Sequence, residues 1–463
     1  MASAVQPTLF STLPLSAPML TNLDRLGYAK MTPIQAASLP ISLAGDDLIA
    51  QAATGSGKTA AFALPLLAKL DATNRATQAL VLCPTRELAD QVTQELRRLA
   101  RAEDNVKILT LCGGIPMRPQ RASLEFGAHI AVGTPGRIMD LLGVGALDLR
   151  EMKTLVLDEA DRMLDMGFYE DIAKVIRHCP RDRQTLLFSA TYPEGVEGLA
   201  KQFQRNPKTV KVEAQHDDTK IRQYFYEIER DQRLTAVSQL LRHFRPTSTI
   251  AFCNTKAKCK DVLERLQADG FSALALHGEL DQKDRDQVLI QFANKSCSVL
   301  VATDVAARGL DIQGLDAVIN VDVTPEPELH IHRIGRTGRG DESGLALNLV
   351  GMNEMHWINK IEDLQGRECE WHPLDELTSA SNDPLVPPMT TIQILGGRKE
   401  KIRAGDVLGA LTGEGGLTKE QVGKINVNDF SIYVAVSRGV AKKALAAINN
   451  GKVKGKSVKA RLV

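Results

Sequence analysis

Residues 52–59 read AATGSGKT, a glycine-punctuated loop ending in Lys and Thr. A phosphate-binding loop is usually written G-x-x-x-x-G-K-[ST]; here Ala52 takes the first position, while Gly55 and Gly57 keep the close backbone approach that phosphates require. The apolar run Leu48–Ala50 precedes the loop and the helix-prone Ala60–Leu67 follows it. Strand, tight loop and helix in that order aim backbone N–H groups and a helix N-terminus at an anion. Ala52, Ala53, Thr54, Gly55, Ser56 and Gly57 then form a nucleotide cradle in which Lys58 reaches the outer phosphates and Thr59 holds Mg2+. Farther on, Leu155-Val156-Leu157-Asp158-Glu159 is an apolar strand ending in two carboxylates. Asp158 there can hold Mg2+ through water, and Glu159 can orient or deprotonate the attacking water.

On both sides of this loop, short apolar runs alternate with amphipathic stretches. Leu48–Ala50, Ala79–Cys83, Ile108–Leu111, Ile130–Val132, Leu155–Leu157 and Leu186–Phe188 read as buried strands, and Leu88, Val92, Leu96 and Leu99 fall at helical spacing. Such alternation predicts a parallel α/β sheet. The scheme repeats in Ile250–Cys253, Ala273–Leu276, Val299–Ala302 and Val318–Val321. Cys83-Pro84-Thr85 is echoed by Cys253-Asn254-Thr255, and Val132-Gly133-Thr134 by Val301-Ala302-Thr303, at nearly one offset. Two copies of one fold are expected, with a seam near Glu213–Lys220. Past Trp371 the pattern breaks; 378–388 (TSASNDPLVPP) reads as a linker, and the remainder as β-α-β-β-α-β. The expected domains are 1–213 and 219–375, a linker 376–388, and a small α+β domain 389–463 of RNA-recognition-motif-like layout.

The 463 residues carry a net charge of only +1, but the charge is unevenly placed. Residues 389–463 hold 14 Lys and Arg against 5 Asp and Glu, a net of +9, so the preceding 388 residues sum to −8. A basic tail on an acidic body predicts a polyanion partner for the tail. No apolar run has the length of a membrane span, which argues against a membrane partner. Seven scattered cysteines without a Cys-x-x-Cys pair argue for reduced thiols in a cytoplasmic protein. The sequence gives no sign of an obligate protein partner.

Hydrolysis of a nucleotide also requires neutralisation of transition-state charge. The second copy lacks a phosphate-binding loop but carries the basic, glycine-punctuated segment from His332 to Arg339, from which arginine fingers are expected.

Together these segments resemble the DEAD-box family of RNA helicases, whose name Asp158-Glu159-Ala160-Asp161 spells. The resemblance runs from about residue 8 to 370 and takes in nearly every family motif in order. It implies two tandem RecA-like domains and RNA-dependent ATP hydrolysis with Mg2+. Gly27-Tyr28 and 31–35 (MTPIQ) are similar to the adenine-selecting Q motif, with Gln35 inside it and Phe10 upstream at the place of a stacking aromatic. First-domain RNA contacts are implied at Pro84, Thr85 and Arg86, at Gly114, and at Thr134, Pro135, Gly136 and Arg137. Ser189 and Thr191 match the segment coupling hydrolysis to strand separation. In the second domain Gln282, Arg285 and Thr303 match RNA-contact motifs, Asp311 a ribose contact, and Arg336 and Arg339 the fingers.

The basic tail adds a resemblance to family members that act on large-subunit ribosomal RNA, implying that RNA and pre-ribosomal particles as partners. Strand alternation groups Phe430 with Ile432, Val434 and Val436 on the core face, leaving only Tyr433 for a stacking platform, too little for recognition on the sheet face. Recognition is therefore expected on the basic loop with Arg398, Lys399, Lys401 and Arg403. Two rivals share the core motifs: a DNA translocase, opposed by the Q motif and the DEAD spelling, and an ATP-locked RNA clamp that rarely separates strands.

Overall fold

The computed structural model describes residues 9–52, 55–102, 105–192, 194–212, 221–229, 231–307, 315–338, 343–380 and 385–463. The seam at Glu213–Lys220, and Ala53, Thr54, Asp311 and Arg339 among the expected site residues, lie outside these.

Domain 1 is a parallel sheet of β1 (Leu48–Gln51), β2 (Ala79–Leu82), β3 (Ile108–Leu111), β4 (Ile130–Gly133), β5 (Thr154–Leu157), β6 (Gln184–Ser189) and β7 (Lys208–Lys211), in the order β3-β4-β2-β5-β6-β1-β7. Strands β2, β4, β5 and β6 are buried along their whole length, so their sequences read as continuous apolar runs rather than alternating ones. Helices Pro33–Ala44, Lys58–Ala68 and Arg86–Leu99 pack Leu39, Phe62 and Leu96 into the core on one face. Helices Pro135–Gly143, Ala160–Asp165, Tyr169–Arg177 and Glu194–Phe203 supply Ile138, Met163, Ile172 and Val196 to the core on the other. Phe62 and Phe188 meet edge-on with centroids 5.4 Å apart, each fully buried and each contributing roughly 1.5–3 kcal/mol of transfer free energy.

Domain 2 repeats the topology. Its strands β8 (Ile221–Ile228), β9 (Thr249–Cys253), β10 (Ala273–Leu276), β11 (Val299–Thr303), β12 (Ala317–Asn320), β13 (Gly344–Gly351) and β14 (Glu370–Trp371) run in the order β10-β11-β9-β12-β13-β8-β14. Every strand matches its counterpart seven places earlier. The sequence echoes have a local cause: the hydroxyls of Thr85 after β2 and Thr255 after β9 accept N–H bonds from Leu88 and Lys258 and cap the following helices.

The small domain has strands β15 (Met389–Leu395), β16 (Val422–Val427), β17 (Ser431–Ser437) and β18 (Lys459–Leu462), antiparallel in the order β16-β17-β15-β18. Helices Ala404–Thr412 and Ala441–Asn450 cover the face that carries Ile392, Ile394, Ile432, Val434 and Val436. The expected core place of Phe430 is corrected here. Asn428 N–H donates to Ser431 O, so Phe430 sits in the turn before β17 and is 70% exposed. Tyr433 is 4% exposed, its hydroxyl accepting from Gln393 Nε2 at 2.8 Å, and offers no free ring face for stacking. Thr391, on the same sheet face as Gln393, is fully buried and bonds Asn294 and Ser296 of domain 2 at 3.2 and 2.6 Å. The stretch expected as a linker is anchored too: Ala380 N–H donates to Arg242 O, and Leu385 joins the core of domain 2.

Candidate nucleotide and RNA site

Ala52 answers for its own oddity. It is 2% exposed and its N–H donates to Ser189 O, extending the β1–β6 ladder by one residue, so no glycine is required there. Among the described loop residues, Gly55 (φ 80°) and Gly57 (φ 94°) have left-handed backbone. A Cβ on Gly57 would lie 2.6 Å from Gln35 Nε2, which donates to Gly57 O at 3.0 Å. Gln35 Oε1 in turn accepts from Thr32 N–H, so this buried amide ties the start of its own helix to the loop. Phe10 is buried edge-on against Tyr28, centroids 5.9 Å apart, and the Tyr28 hydroxyl bonds Glu95.

At the loop's end Lys58 is 6% exposed and donates to Ala52 O at 3.0 Å. Its neighbour Thr59 is half-buried at the start of the helix, whose first N–H groups have no intrahelical acceptor. Asp158 follows β5 and is 4% exposed. Burial, opposed by Lys58 and reinforced by Glu159, pushes its carboxyl up to about 7. Asp158 Oδ1 is buried without a hydrogen-bond partner among the described residues. A buried carboxylate oxygen left open beside a phosphate-type loop fits a hard dication, which Asp158 and Thr59 could hold.

Glu159 occupies the left-handed region (φ 53°, ψ 53°), a costly conformation for a side chain with a Cβ. Its buried carboxylate forms an ion pair with Arg162. Asp161 is the connector. Its Oδ2 accepts from Ala190 N–H, Thr191 N–H and the Thr191 hydroxyl at 3.2, 2.8 and 2.8 Å, and its own N–H donates to Ser189 Oγ. Burial works to raise the Asp161 carboxyl, but the Thr191 bonds and the Lys58 charge hold it below the usual carboxylate range. Ser189 and Thr191 are thereby joined to the paired carboxylates. Asp161 and Arg162 were absent from the sequence-derived site, although their helical spacing from Asp158 and Glu159 was legible.

The segments expected to contact RNA in domain 1 follow β2, β3 and β4, three adjacent parallel strands, and so share one sheet edge. Arg86 lies over Gly114, where an added Cβ would come within 2.3 Å of its guanidinium. Thr134 precedes helix Pro135–Gly143, Gly136 has open space above it, and Arg137 donates to Ile115 O at 3.0 Å. Two helix N-termini and two arginines converge here, a set suited to phosphates. In domain 2 the equivalent strands are β9, β10 and β11. Gln282 opens helix Gln282–Ala293 and bonds Asp286, Arg285 donates to Ala306 O at 2.6 Å, and Thr303 ends β11. Thr255 and Lys256 stand where Thr85 and Arg86 stand in domain 1; the echo marked them, but they were not read as contacts.

Of the basic segment 332–339, Arg333 is 2% exposed and bound to Asp304, Asn320, Asn254 and Asp322 O, with its guanidinium over Phe252. It is an internal brace. Arg336 is 6% exposed, and its carbonyl accepts from Leu315 N–H.

In the small domain Arg398, Lys399, Lys401 and Arg403 are all exposed. Their loop lies along the turn before β17, with Arg398 and Lys399 N–H groups donating to Asn428 O and Asp429 O. Lys454 and Lys456, exposed and absent from the sequence-derived site, donate to Lys401 O and Glu400 O and so bring a second basic loop alongside.

Residues 32–199 match the DEAD/DEAH box helicase model, 232–341 the helicase conserved C-terminal domain, and 391–462 the DbpA RNA binding domain. The chain is 51% identical over 457 residues to the ATP-dependent RNA helicase DbpA of Escherichia coli, covering 98% of this chain and 100% of that protein. It is 43% identical over 364 residues to the DEAD-box ATP-dependent RNA helicase CshA of Geobacillus kaustophilus, covering 78% of each. Among solved structures it resembles S. cerevisiae Dbp5 bound to RNA and ADP BeF3, with a TM-score of 0.73 and 30% identity over 80% of this chain and 96% of that one. The ordered loop, carboxylate pair and coupling segment therefore stand in a chain that belongs to the DEAD-box family of ATP-dependent RNA helicases and hydrolyses ATP in an RNA-dependent way.

Proposed function

We propose that this helicase is directed by its small domain to large-subunit ribosomal RNA, which it remodels during ribosome assembly. The observation that carries the reading is the tail itself: 75 residues with a net charge of +9, whose central sheet residues Thr391, Gln393 and Tyr433 are buried while two basic loops stay exposed. Phosphates would be held by Arg398, Lys399, Lys401, Arg403, Lys454 and Lys456, and the exposed ring of Phe430 beside them would stack on an unpaired base. A charged loop positions RNA, whereas a base contact discriminates, so the pair accounts for a preference and not only for affinity.

In the core the proposed division of labour follows from the chemistry of each group. Lys58 and the loop amides bind phosphates, Thr59 and Asp158 hold Mg2+, Glu159 handles the attacking water, and Arg336 and Arg339 neutralise transition-state charge. Mg2+ supplies charge neutralisation at the phosphates when bound. The domain bounds 1–213, 219–375 and 389–463 and a cytoplasmic location are proposed as well, the latter supported by seven free thiols. No helix among the described residues is long and apolar enough to cross a membrane.

The test compares ATPase stimulation by a large-subunit ribosomal RNA fragment and by an unrelated hairpin, in the full chain and in one lacking residues 389–463. A preference present only in the full chain supports the reading; equal stimulation of the full chain by both RNAs sinks it. Arg398→Ala with Lys401→Ala should weaken binding and flatten its salt dependence, by about 0.7 log units per lost single-strand phosphate contact per tenfold salt.

A further inference from the structure

Glu159 needs a second anchor. Its backbone is set by the left-handed turn after β5, but two methylene groups separate the carboxylate from that turn and leave its direction open. Arg162, three residues on in helix Ala160–Asp165, reaches back and forms an ion pair with it. Both side chains are enclosed, 10% and 6% exposed, and Arg162 is the only side chain hydrogen-bonded to that carboxylate among the described residues. The Arg162 N–H also donates to Asp161 Oδ1 at 3.0 Å, while Asp161 Oδ2 holds the Ser189–Thr191 segment. One short helix turn thus carries a continuous connection from Thr191 through Asp161 to Arg162 and on to Glu159.

We propose that Arg162 is a positioning residue: it fixes the Glu159 carboxylate for its work on the attacking water and ties that carboxylate to the Ser189–Thr191 segment. The inference rests on Glu159 being the water-handling residue. Guanidinium suits the role because it stays charged and presents a planar fork that restricts where a carboxylate can lie. A misplacement of about 1 Å at a reacting group costs on the order of 10²-fold in rate. Arg162 touches neither phosphate nor water in this scheme, so nucleotide affinity should not depend on it.

The experiment is a double-mutant cycle in the full-length protein with RNA present, reading single-turnover ATP hydrolysis, ADP affinity and thermal midpoint. Arg162→Gln is expected to slow hydrolysis by about 10–100-fold with ADP affinity unchanged within about threefold, and Arg162→Lys to recover at least about tenfold of the loss. In the Glu159→Gln background, adding Arg162→Gln should cause no further slowing, because the group it positions is gone. A general structural role predicts otherwise: losses that multiply in the double mutant, or a rate that falls in step with ADP affinity and thermal midpoint. Either result overturns the proposal, as does a parental rate in Arg162→Gln or no advantage of Lys over Gln. If Glu159→Gln alone hydrolyses ATP at the parental rate, the assignment of Glu159 fails, and the role of Arg162 with it.

Discussion

Domains 1 and 2 share a strand order, yet equivalent positions in them treat their polar groups in opposite ways. In domain 1, Lys58 follows β1 and donates to the carbonyl of Ala52, while Asp158 after β5 keeps a buried oxygen without a partner among the described residues. In domain 2, Arg233 follows β8 and is locked between Asp322 and Glu354, with further bonds to Val321 O and Leu349 O. By strand register Asp322 stands in the place of Glu159, and it also accepts from Asn254 N–H. One copy has closed its polar network on itself; the other leaves cation and carboxylate available for a ligand. Buried polar groups are normally satisfied, so the open ends of domain 1 support the nucleotide and metal site proposed there.

The sharpest way to break this contrast is Glu159→Gln, expected to lower ATP turnover by about 10²–10⁴-fold while nucleotide and RNA affinities persist. Turnover near the parental value would remove the catalytic asymmetry between the copies. Next comes Arg233→Met, which leaves Asp322 and Glu354 buried without their cation and should destabilise domain 2 by about 3–5 kcal/mol in urea unfolding. Lys58→Met should abolish nucleotide binding with a far smaller shift in the unfolding midpoint. Equal destabilisation by the two would show that the open and closed networks do not differ.

His330 provides a pH test of the closed copy. Burial, aided by the charges of Arg333 and Arg367, lowers it to about 3, and it stays neutral against Gln223 Oε1 and Phe225. Between about 3 and the ordinary value near 6.5, the unfolded chain binds a proton that the folded one does not. Its contribution is therefore complete above about pH 6.5 and falls as the pH drops, by about 1.4 kcal/mol per unit. His330→Gln should flatten the acid limb of a stability profile recorded from pH 4 to 7; an unchanged limb would contradict the burial argument.

Phe430→Ala should cost about 1–3 kcal/mol of RNA affinity through lost stacking and leave the thermal midpoint in place. A fall in stability instead would return Phe430 to the core. The smallest effect compares the copies directly. Thr85→Ala and Thr255→Ala each remove one helix cap and should each cost about 1 kcal/mol. A large inequality would mean that the duplicated turn no longer serves the same local purpose in both domains.

Legibility from sequence followed burial in most strands, although the buried β13 (Gly344–Gly351) was not read. Strands such as β2, β5 and β6, enclosed on both faces, stood out as apolar runs, whereas β7 is polar and β14 has two residues, so neither carried a signal. β8 (IRQYFYEI) was missed because it mixes buried and exposed side chains, including a Gln223 that only His330 and Gln365 make tolerable inside. The loop and the carboxylate pair stood out because their chemistry needs particular residues at particular local spacings, whereas Ser189 and Thr191 were marked only by the resemblance to the family. Phe430 was misplaced because alternation holds only within a strand, and the strand begins one residue later than the pattern suggested, at Ser431.

By itself the sequence determined the duplicated α/β architecture, the nucleotide chemistry and the basic character of the tail, all of which depend on local pattern and composition. Tertiary structure alone decided which polar groups find partners: that Arg333 is a brace, that Arg233 closes domain 2, and that the outer sheet face of the tail is buried at Thr391. Those outcomes depend on residues far apart in the chain, and a hydrogen bond across such a separation leaves no mark in local spacing.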